Sequence, residues 1–233
     1  MILTVFSDIH GNIFALKKAL HKMMDIAYDK IIFCGDIFGY YYNQQEVIAE
    51  LSKIQNLIWL KGNHDAYAVD AYRGMIDEGA LIRRYGHSYE GLTSKYSNEW
   101  IDFIDDRPEC VQLTDGNRKT GIFHGTPEEP LEGRLYPDKQ VMLPESYSAY
   151  DIVILGHTHC RMVRTEGETL IVNAGSLGQP RDGNGYGFAV VDTDSFQVTY
   201  HTIQIDTEKL YQQIDRYDPD LPKLKEVLMR MQY

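Results

Sequence analysis

Cysteine is scarce in this chain, which has three cysteines among its 233 residues. Cys34, Cys110 and Cys160 are widely spaced, and no two of them form a C-x-x-C pair. An odd number of isolated cysteines is typical neither of a disulfide framework nor of a zinc ribbon. We therefore expect a reducing compartment, which indicates a cytoplasmic protein.

Basic residues are also in short supply, because 23 Lys and Arg face 34 Asp and Glu and give a formal net charge of −11. Proteins that wrap duplex nucleic acid or lie on anionic membranes need clustered basic side chains. Apolar runs fall short of the roughly 20 residues of a membrane span, and the apolar start at Met1 to Phe6 lacks the basic flank of a signal peptide. Duplex nucleic acid and membranes are not expected as partners.

Internal repeats and linkers rich in Pro, Gly or Ser are absent from the sequence, which predicts one domain over residues 1–233. The apolar runs at 2–6, 31–34 and 57–60 predict buried strands, and amphipathic segments between them predict helices. This alternation is typical of an α/β fold with a parallel sheet. We expect a helical insertion at about 66–107, further strands from Cys110 onward, and C-terminal helices at about 206–231.

Five short polar motifs follow predicted strands. They are Asp8-Ile9-His10, Gly35-Asp36, Gly62-Asn63-His64-Asp65, His124-Gly125 and Gly156-His157-Thr158-His159. Five of the eight histidines lie in these motifs, and the loops after parallel strands gather ligands at one edge of a sheet. Imidazole, carboxylate and amide ligands together indicate a site for transition metals. Two dications with two aspartates would give a local charge of +4 − 2 = +2, which attracts a phosphate, and paired metals stabilise displacement at phosphorus.

The order D-x-H, G-D, G-N-H-D, H-G, G-H-x-H resembles that of the calcineurin-like metallophosphoesterases, in the branch of small bacterial and archaeal phosphodiesterases that includes YfcE-like and diadenosine-polyphosphate-hydrolase-like proteins. The resemblance runs from Asp8 to about Asp192 and includes the segment from Asn173 to Arg181. It implies a four-layer α/β/β/α sandwich with a helical insertion.

The resemblance also implies the site. Two divalent transition-metal ions (Mn, Fe, Zn or Ni) would be held by seven residues, with Asp36 shared between the ions. The first ion would take Asp8, His10, Asp36 and His159, and the second Asp36, Asn63, His124 and His157. His64 would be the general acid, with Asp65 in support, and a hydroxide that bridges the metals would attack the phosphoester.

The expected substrate is a small phosphoester with a phosphodiester or phosphoanhydride bond, such as a nucleotide or a dinucleoside polyphosphate. Asn63, His64, Arg181, Tyr67 and Tyr40 are predicted to contact it, and the insertion is predicted to act as a lid. Two alternatives stay open at this point. One is a metal-binding interaction scaffold of the Vps29 type, and the other is a phosphomonoesterase or nuclease that uses the same site. The sequence carries no signal for an oligomeric state.

Overall fold

The computed structural model describes residues 1–139 and 141–229, and it confirms the predicted α/β sandwich as two mixed five-stranded sheets with flanking helices. The first sheet contains strands β1, β2, β3, β9 and β10. Their bounds are Ile2–Phe6, Lys30–Phe33, Ile58–Trp59, Gly187–Asp192 and Gln197–Thr202. The order across the sheet is β10-β9-β1-β2-β3. β1, β2 and β3 are parallel, and β9 runs antiparallel to β1.

The second sheet contains strands β4 to β8. Their bounds are Cys110–Asp115, Arg118–Phe123, Ile152–Leu155, Arg161–Glu166 and Thr169–Ala174. The order is β4-β5-β6-β8-β7, with β5, β6 and β8 parallel and the two edge strands antiparallel to their neighbours. Parallel strands place their carboxyl ends at one edge, so each sheet offers one edge for polar loops.

Eight α-helices complete the described chain. They are α1 (Ile13–Met23), α2 (Gln44–Leu51), α3 (Asn63–Tyr72), α4 (Glu78–Tyr85), α5 (Leu92–Lys95), α6 (Asn98–Asp105), α7 (Glu208–Tyr217) and α8 (Lys223–Met229). Two 3₁₀ helices lie at His87–Tyr89 and Glu145–Ala149. The last two residues of the predicted C-terminal helical segment, 230 and 231, lie outside the described residues. In the described ranges, the helices are too short or too polar to cross a bilayer.

Strand alternation divides the core into layers. Leu3 and Val5 of β1 point between the two sheets and belong to the same apolar cluster as Ile154 and Val172 of the second sheet. Phe6 of β1 points to the opposite face, toward the helices. Period-two alternation therefore lets one strand serve two cores. The outer face of the second sheet is covered by a loop and the 3₁₀ helix Glu145–Ala149, with Tyr147 packed into the third cluster.

The segment predicted to be a helical insertion holds α3 to α6 together with the first 3₁₀ helix. Its apolar side chains, including Val69, Leu92 and Ile104, are buried in the same cluster as Phe6. The first insertion helix begins at Asn63, a residue of the third polar motif, rather than near residue 66. The insertion is thus built into the domain core and is joined directly to the polar edge of the sheet.

A strap at residues 176–178 holds the loop that follows β1. The backbone N–H groups of Leu177 and Gly178 donate to the carbonyl oxygens of Ser7 and Asp8 at 2.8 and 2.9 Å. A Cβ at position 178 would overlap the carbonyl oxygen of Ile9. Glycine is required here by a close approach of two backbones.

We predict that Gly178→Ala lowers the free energy of unfolding by about 3 kcal/mol or more, since overpacking of two backbone segments has no flexible side chain to absorb it. Urea unfolding followed by circular dichroism measures the change. Gly79→Ala in the first turn of α4 is the control, because a Cβ there meets its nearest side-chain atoms at 3.2 Å; its effect should stay within about 1 kcal/mol. Equal stability of the Gly178→Ala and Gly79→Ala variants would contradict this account of the strap.

Candidate metal centre

The polar motifs meet where the carboxyl ends of strands from both sheets face each other. The loops after β1 and β2 come from the first sheet, and those after β5 and β6 come from the second. Two clusters of possible metal ligands form there, and all of their members are buried. The first contains Asp8, His10 and His159, and the second contains Asp36, His124 and His157. In each cluster the ligand atoms lie within 4.8 Å of one another.

In the first cluster, two imidazoles face each other across a short gap. Nε2 of His10 lies 3.0 Å from Nε2 of His159. Asp8 Oδ1 lies 3.3 Å from His159 Nε2 and 3.8 Å from His10 Nε2. Three atoms that could ligate a metal ion thus lie within 3.8 Å of one another.

The second cluster gains an amide from Asn63. His124 Nε2 lies 3.0 Å from Asn63 Oδ1 and 3.4 Å from Asp36 Oδ2. The same Oδ2 atom of Asp36 is 3.7 Å from His10 Nε2 of the first cluster. Asp36 of the second cluster therefore also faces the first cluster, where its carboxylate could be shared by two ions.

Backbone carbonyl groups set the orientation of three of these rings. Nδ1 of His10, His124 and His159 lies 2.6 to 2.8 Å from the carbonyl oxygens of Phe38, Cys34 and Gln179 respectively. Because a carbonyl oxygen can accept only, Nδ1 carries a proton in all three rings, and Nε2 of His10 and His159 presents a lone pair. This is the tautomer that metal ligation requires.

Orphaned polar atoms support the fit to metal ions. Among the described residues, Asp8 Oδ1, Asp36 Oδ2 and His157 Nε2 are buried side-chain atoms without a hydrogen-bond partner. Buried polar atoms are normally paired, and the lone pairs of His10 and His159 repel each other when nothing lies between them. Bound cations would pair the unpaired atoms and remove the repulsion between the two rings. The mixed nitrogen and oxygen ligands suit divalent transition metals.

Burial and neighbouring charges tune the second cluster. Burial, with the nearby carboxylates of Asp65 and Asp8, raises the pKa of Asp36 to about 7 against the opposing effect of His124. Burial disfavours protonated His124, but the Asp36 and Asp8 carboxylates and the Cys34 carbonyl together raise the pKa of His124 to about 9. Burial and then His124 lower the pKa of His157 to about 3. His157 is thus neutral at pH 7, whereas His124 holds a proton that an incoming metal would displace.

The backbone is strained at most of these positions. Left-handed φ angles of 49 to 72° occur at five of the seven candidate ligands, namely Asp8, His10, Asp36, His157 and His159. Such angles are uncommon for residues with a Cβ and persist where the surroundings enforce them. This concentration of strain is typical of a functional site.

Residues of the glycine-rich segment 173–181 hold the ligand loops in place. The Asn173 amide donates to the carbonyl oxygen of Gly156 at 2.6 Å and to Thr158 Oγ1 at 3.1 Å. The Ser176 hydroxyl donates to the carbonyl oxygen of Asp8 at 2.7 Å. These hydrogen bonds therefore hold in place the loops that carry Asp8, His157 and His159.

Asp65 takes a different place from the one expected beside His64. Its carboxylate accepts four backbone N–H groups, from Asp36, Ile37, Phe38 and Gly62, at 2.8 to 3.2 Å. These bonds fix the Asp36 loop and cap α3, so Asp65 is a positioning residue for the Asp36 loop. The group that meets the His64 ring is the Tyr89 hydroxyl, 2.7 Å from Nδ1.

The other predicted substrate contacts surround the clusters. Arg181 Nη2 donates to the Tyr40 hydroxyl at 3.0 Å, and the Tyr40 ring lies edge-on to His10 at 4.7 Å between centroids. The Tyr67 ring lies 5.5 Å from that of His64, and its hydroxyl donates to Glu132. Tyr40, Tyr67 and Arg181 are thus brought to the same edge as the candidate ligands.

Tyr85 and Tyr89 were not predicted at this site. The Tyr85 ring lies 4.5 Å from that of His64, and Tyr89 is fully buried behind it. The sequence shows that the segment at about 66–107 is rich in tyrosine. It does not show which of these tyrosines turn toward His64.

We predict that Asp36→Asn reduces bound metal from about two ions per chain to one or fewer, because it removes the shared negative charge that offsets repulsion between two dications. Metal analysis of protein purified without chelator measures the change. Asp220→Asn, at an exposed position, is the matched control and should retain the metal. Two ions retained in Asp36→Asn would exclude Asp36 as the shared ligand.

The chain is similar to known proteins in sequence and in fold. The sequence is 28 % identical over 233 residues to an uncharacterised protein of Methanocaldococcus jannaschii, MJ0912, with 91 % of each chain covered. The fold is similar to that of a metallophosphoesterase from Sphaerobacter thermophilus, with a TM-score of 0.74 and 23 % identity over 99 % of this chain and 98 % of that one.

A second solved structure, that of an archaeal phosphodiesterase, shares the fold with a TM-score of 0.55 and 21 % identity, over 87 % of this chain and 100 % of the other. Likeness at this identity concerns the fold alone. The family model of the calcineurin-like phosphoesterase superfamily domain matches residues 1–195. The chain therefore belongs to the calcineurin-like phosphoesterase superfamily.

Proposed function

We propose that this protein is a metal-dependent hydrolase of small phosphoesters, acting on phosphodiester or phosphoanhydride bonds. The observation that carries the proposal is the pair of buried clusters, with Asp36 of the second cluster facing the first and the His64 ring 5.0 Å from that of His10. A general acid beside a site for two dications is the arrangement that phosphoryl displacement needs.

The seven candidate ligands would divide as the family resemblance implies. Asp8, His10 and His159 would hold one ion, while Asn63, His124 and His157 would hold the other, with Asp36 between them. When bound, the two ions would supply Lewis-acid chemistry, activating water and stabilising charge at phosphorus. The candidate ions are Mn, Fe, Zn and Ni, which metal analysis of the purified protein would distinguish.

His64 would protonate the leaving oxygen from Nε2. Its Nδ1 atom faces Tyr89, and within residues 1–139 and 141–229 no hydrogen bond engages Nε2. Burial lowers the pKa of His64, with His10 as the next contributor. The negative charge of a bound phosphate would favour the protonated ring again.

Arg181, Tyr40 and Asn63 would orient the phosphate. The Arg181 guanidinium stacks 5.6 Å above the Tyr40 ring and is anchored by Gln179 Oε1 at 2.8 Å. A guanidinium held in this way keeps further N–H donors for phosphate oxygens. The side-chain amide of Asn63 could contact the same group from the second cluster.

We further propose that the non-reacting part of the substrate is nucleotide-like and lies against the insertion. Tyr67 and Tyr85 stack with 6.3 Å between centroids and 19° between ring planes, and both rings lie next to His64. Partly buried aromatic faces at the edge of a phosphate site can stack on a nucleobase. The activity named for the archaeal phosphodiesterase of similar fold agrees with a diester substrate.

A scaffold function is the alternative, and it makes a different demand on the site. A protein that uses this fold for binding partners has no need to keep every ligand, the acid and their supporting hydrogen bonds. Here all seven candidate ligands and His64 are present and buried. This completeness favours the enzyme.

We predict that protein loaded with Mn²⁺ hydrolyses phosphoesters in a screen of bis-p-nitrophenyl phosphate, p-nitrophenyl phosphate, cyclic nucleotides and dinucleoside polyphosphates. His64→Ala should keep its metal and lower kcat by about 10² to 10⁴. The loss should be smaller for p-nitrophenyl esters, since p-nitrophenolate leaves without a proton. No hydrolysis of any of these esters by the metal-loaded protein would refute the proposed activity.

We predict that Tyr67→Leu raises KM for nucleotide substrates about tenfold, as one stacked base contributes about 1 to 3 kcal/mol. The KM for bis-p-nitrophenyl phosphate should change by less than about twofold, at the resolution of steady-state kinetics. Tyr72→Leu on the same helix is the matched control, because the Tyr72 hydroxyl is exposed and donates to Asn98. An equal change in KM for both substrates would show that Tyr67 does not determine the preference for nucleotides.

A further inference from the structure

The insertion places one phenol against the back of the His64 ring. The Tyr89 oxygen lies 2.7 Å from His64 Nδ1 and 3.3 Å from the His64 carbonyl oxygen. When the His64 ring is protonated, as a general acid requires, Nδ1 carries a proton, so the Tyr89 oxygen accepts it and can donate its own proton to the His64 carbonyl oxygen. One side chain thereby binds both the backbone and the ring of His64.

We propose that Tyr89 is the positioning residue of His64: its hydroxyl accepts Nδ1–H and so directs Nε2 toward the reacting phosphoester. This inference rests on the proposed function for its effect on catalysis. The hydrogen bond itself is independent of that function and can be measured separately.

The chemistry of a tyrosine suits this position. Tyr89 is fully buried, and burial raises the pKa of its hydroxyl well above the ordinary value. The phenol therefore stays neutral and adds no negative charge next to the metal ligands. Asp65, the neighbouring carboxylate, is unavailable for the task because its oxygens accept the four backbone N–H groups described above.

The segment that carries Tyr89 is itself anchored. Asp218, at the end of α7, accepts the backbone N–H of His87 at 2.9 Å, faces His87 Nδ1 at 2.7 Å and accepts the Tyr42 hydroxyl at 2.7 Å. Gly86 precedes with φ of 95°, and a Cβ there would lie 2.7 Å from Asp218 Oδ2. The 3₁₀ helix His87–Tyr89 is thus fixed against the C-terminal part of the fold, which gives the phenol a defined place.

Tyr89→Phe tests the proposal by removing one oxygen. We expect kcat for esters with poor leaving groups to fall about tenfold, equivalent to ~1.4 kcal/mol, with KM within about twofold and metal content unchanged. The loss should be less than about threefold for p-nitrophenyl esters, which need little proton donation. In the His64→Ala background, Tyr89→Phe should have no further effect on kcat, since its effect passes through His64.

Tyr186→Phe is the matched control. Tyr186 lies in the same apolar cluster as Tyr89, and in the described part of the chain its hydroxyl has no hydrogen-bond partner. Its loss should leave kcat and KM unchanged. A kcat loss in Tyr89→Phe that is equal for all esters, or that persists without His64, would show a general structural role and overturn the proposal.

Nitrogen NMR of Zn²⁺-loaded protein with ¹⁵N-labelled histidine gives a readout without substrate. We expect a slowly exchanging Nδ1–H signal that is absent from His64→Ala and is shifted or broadened by Tyr89→Phe. A wild-type His64 without a proton on Nδ1 would refute the inference even if every variant were poorly stable. Absence of hydrolysis by the wild-type enzyme, with the Nδ1–H signal present, would refute the proposed function and leave the hydrogen bond established.

Discussion

The rest of the site depends on one contact: Nε2 of His10 and Nε2 of His159 lie 3.0 Å apart in the protein interior, and their lone pairs face each other. Backbone carbonyl groups hold the protons on the far side of both rings, so neither ring can relieve the contact by changing tautomer. The left-handed ligand residues and the strap at 176–178 resist any separation of the loops. The protein thus maintains an arrangement that a cation stabilises, which is the meaning of preorganisation at a metal site.

Much of the fold could be predicted because its signals are local. Ile2 to Phe6 carries apolar or β-branched side chains on both faces, as is typical of a central strand between helices and a second sheet. Once β1 and β2 are parallel, their carboxyl ends share an edge, and the polar residues that follow them must converge. The histidines at 124, 157 and 159 follow the same rule in the second sheet. Strand patterns and motif order therefore indicate the candidate ligands together with the architecture.

The surroundings of His64 could not be predicted in this way. Asp65 is next to His64 in sequence, but consecutive residues on a helix point in directions about 100° apart, and Asp65 turns back to cap α3. Tyr89 is distant in sequence and reaches His64 because Asp218, near the end of the described chain, fixes the 3₁₀ helix. No periodic pattern records such a contact. It arises from the path of an irregular segment between α4 and α5.

Under the proposed function, the position of α3 links proton donation to substrate recognition. Its first residues, Asn63 and His64, face the candidate metals, and Tyr67 lies one turn further along the same helix with its ring beside His64. Because the helix is packed into the core through Ala68 and Val69, the proposed acid and the proposed aromatic contact are carried by one rigidly packed helix. A change in the insertion that shifts α3 would alter proton donation and substrate recognition together. Selection for a new substrate would therefore act most freely on residues outside α3, such as Tyr85, which lines the same space from α4 and supplies no candidate ligand.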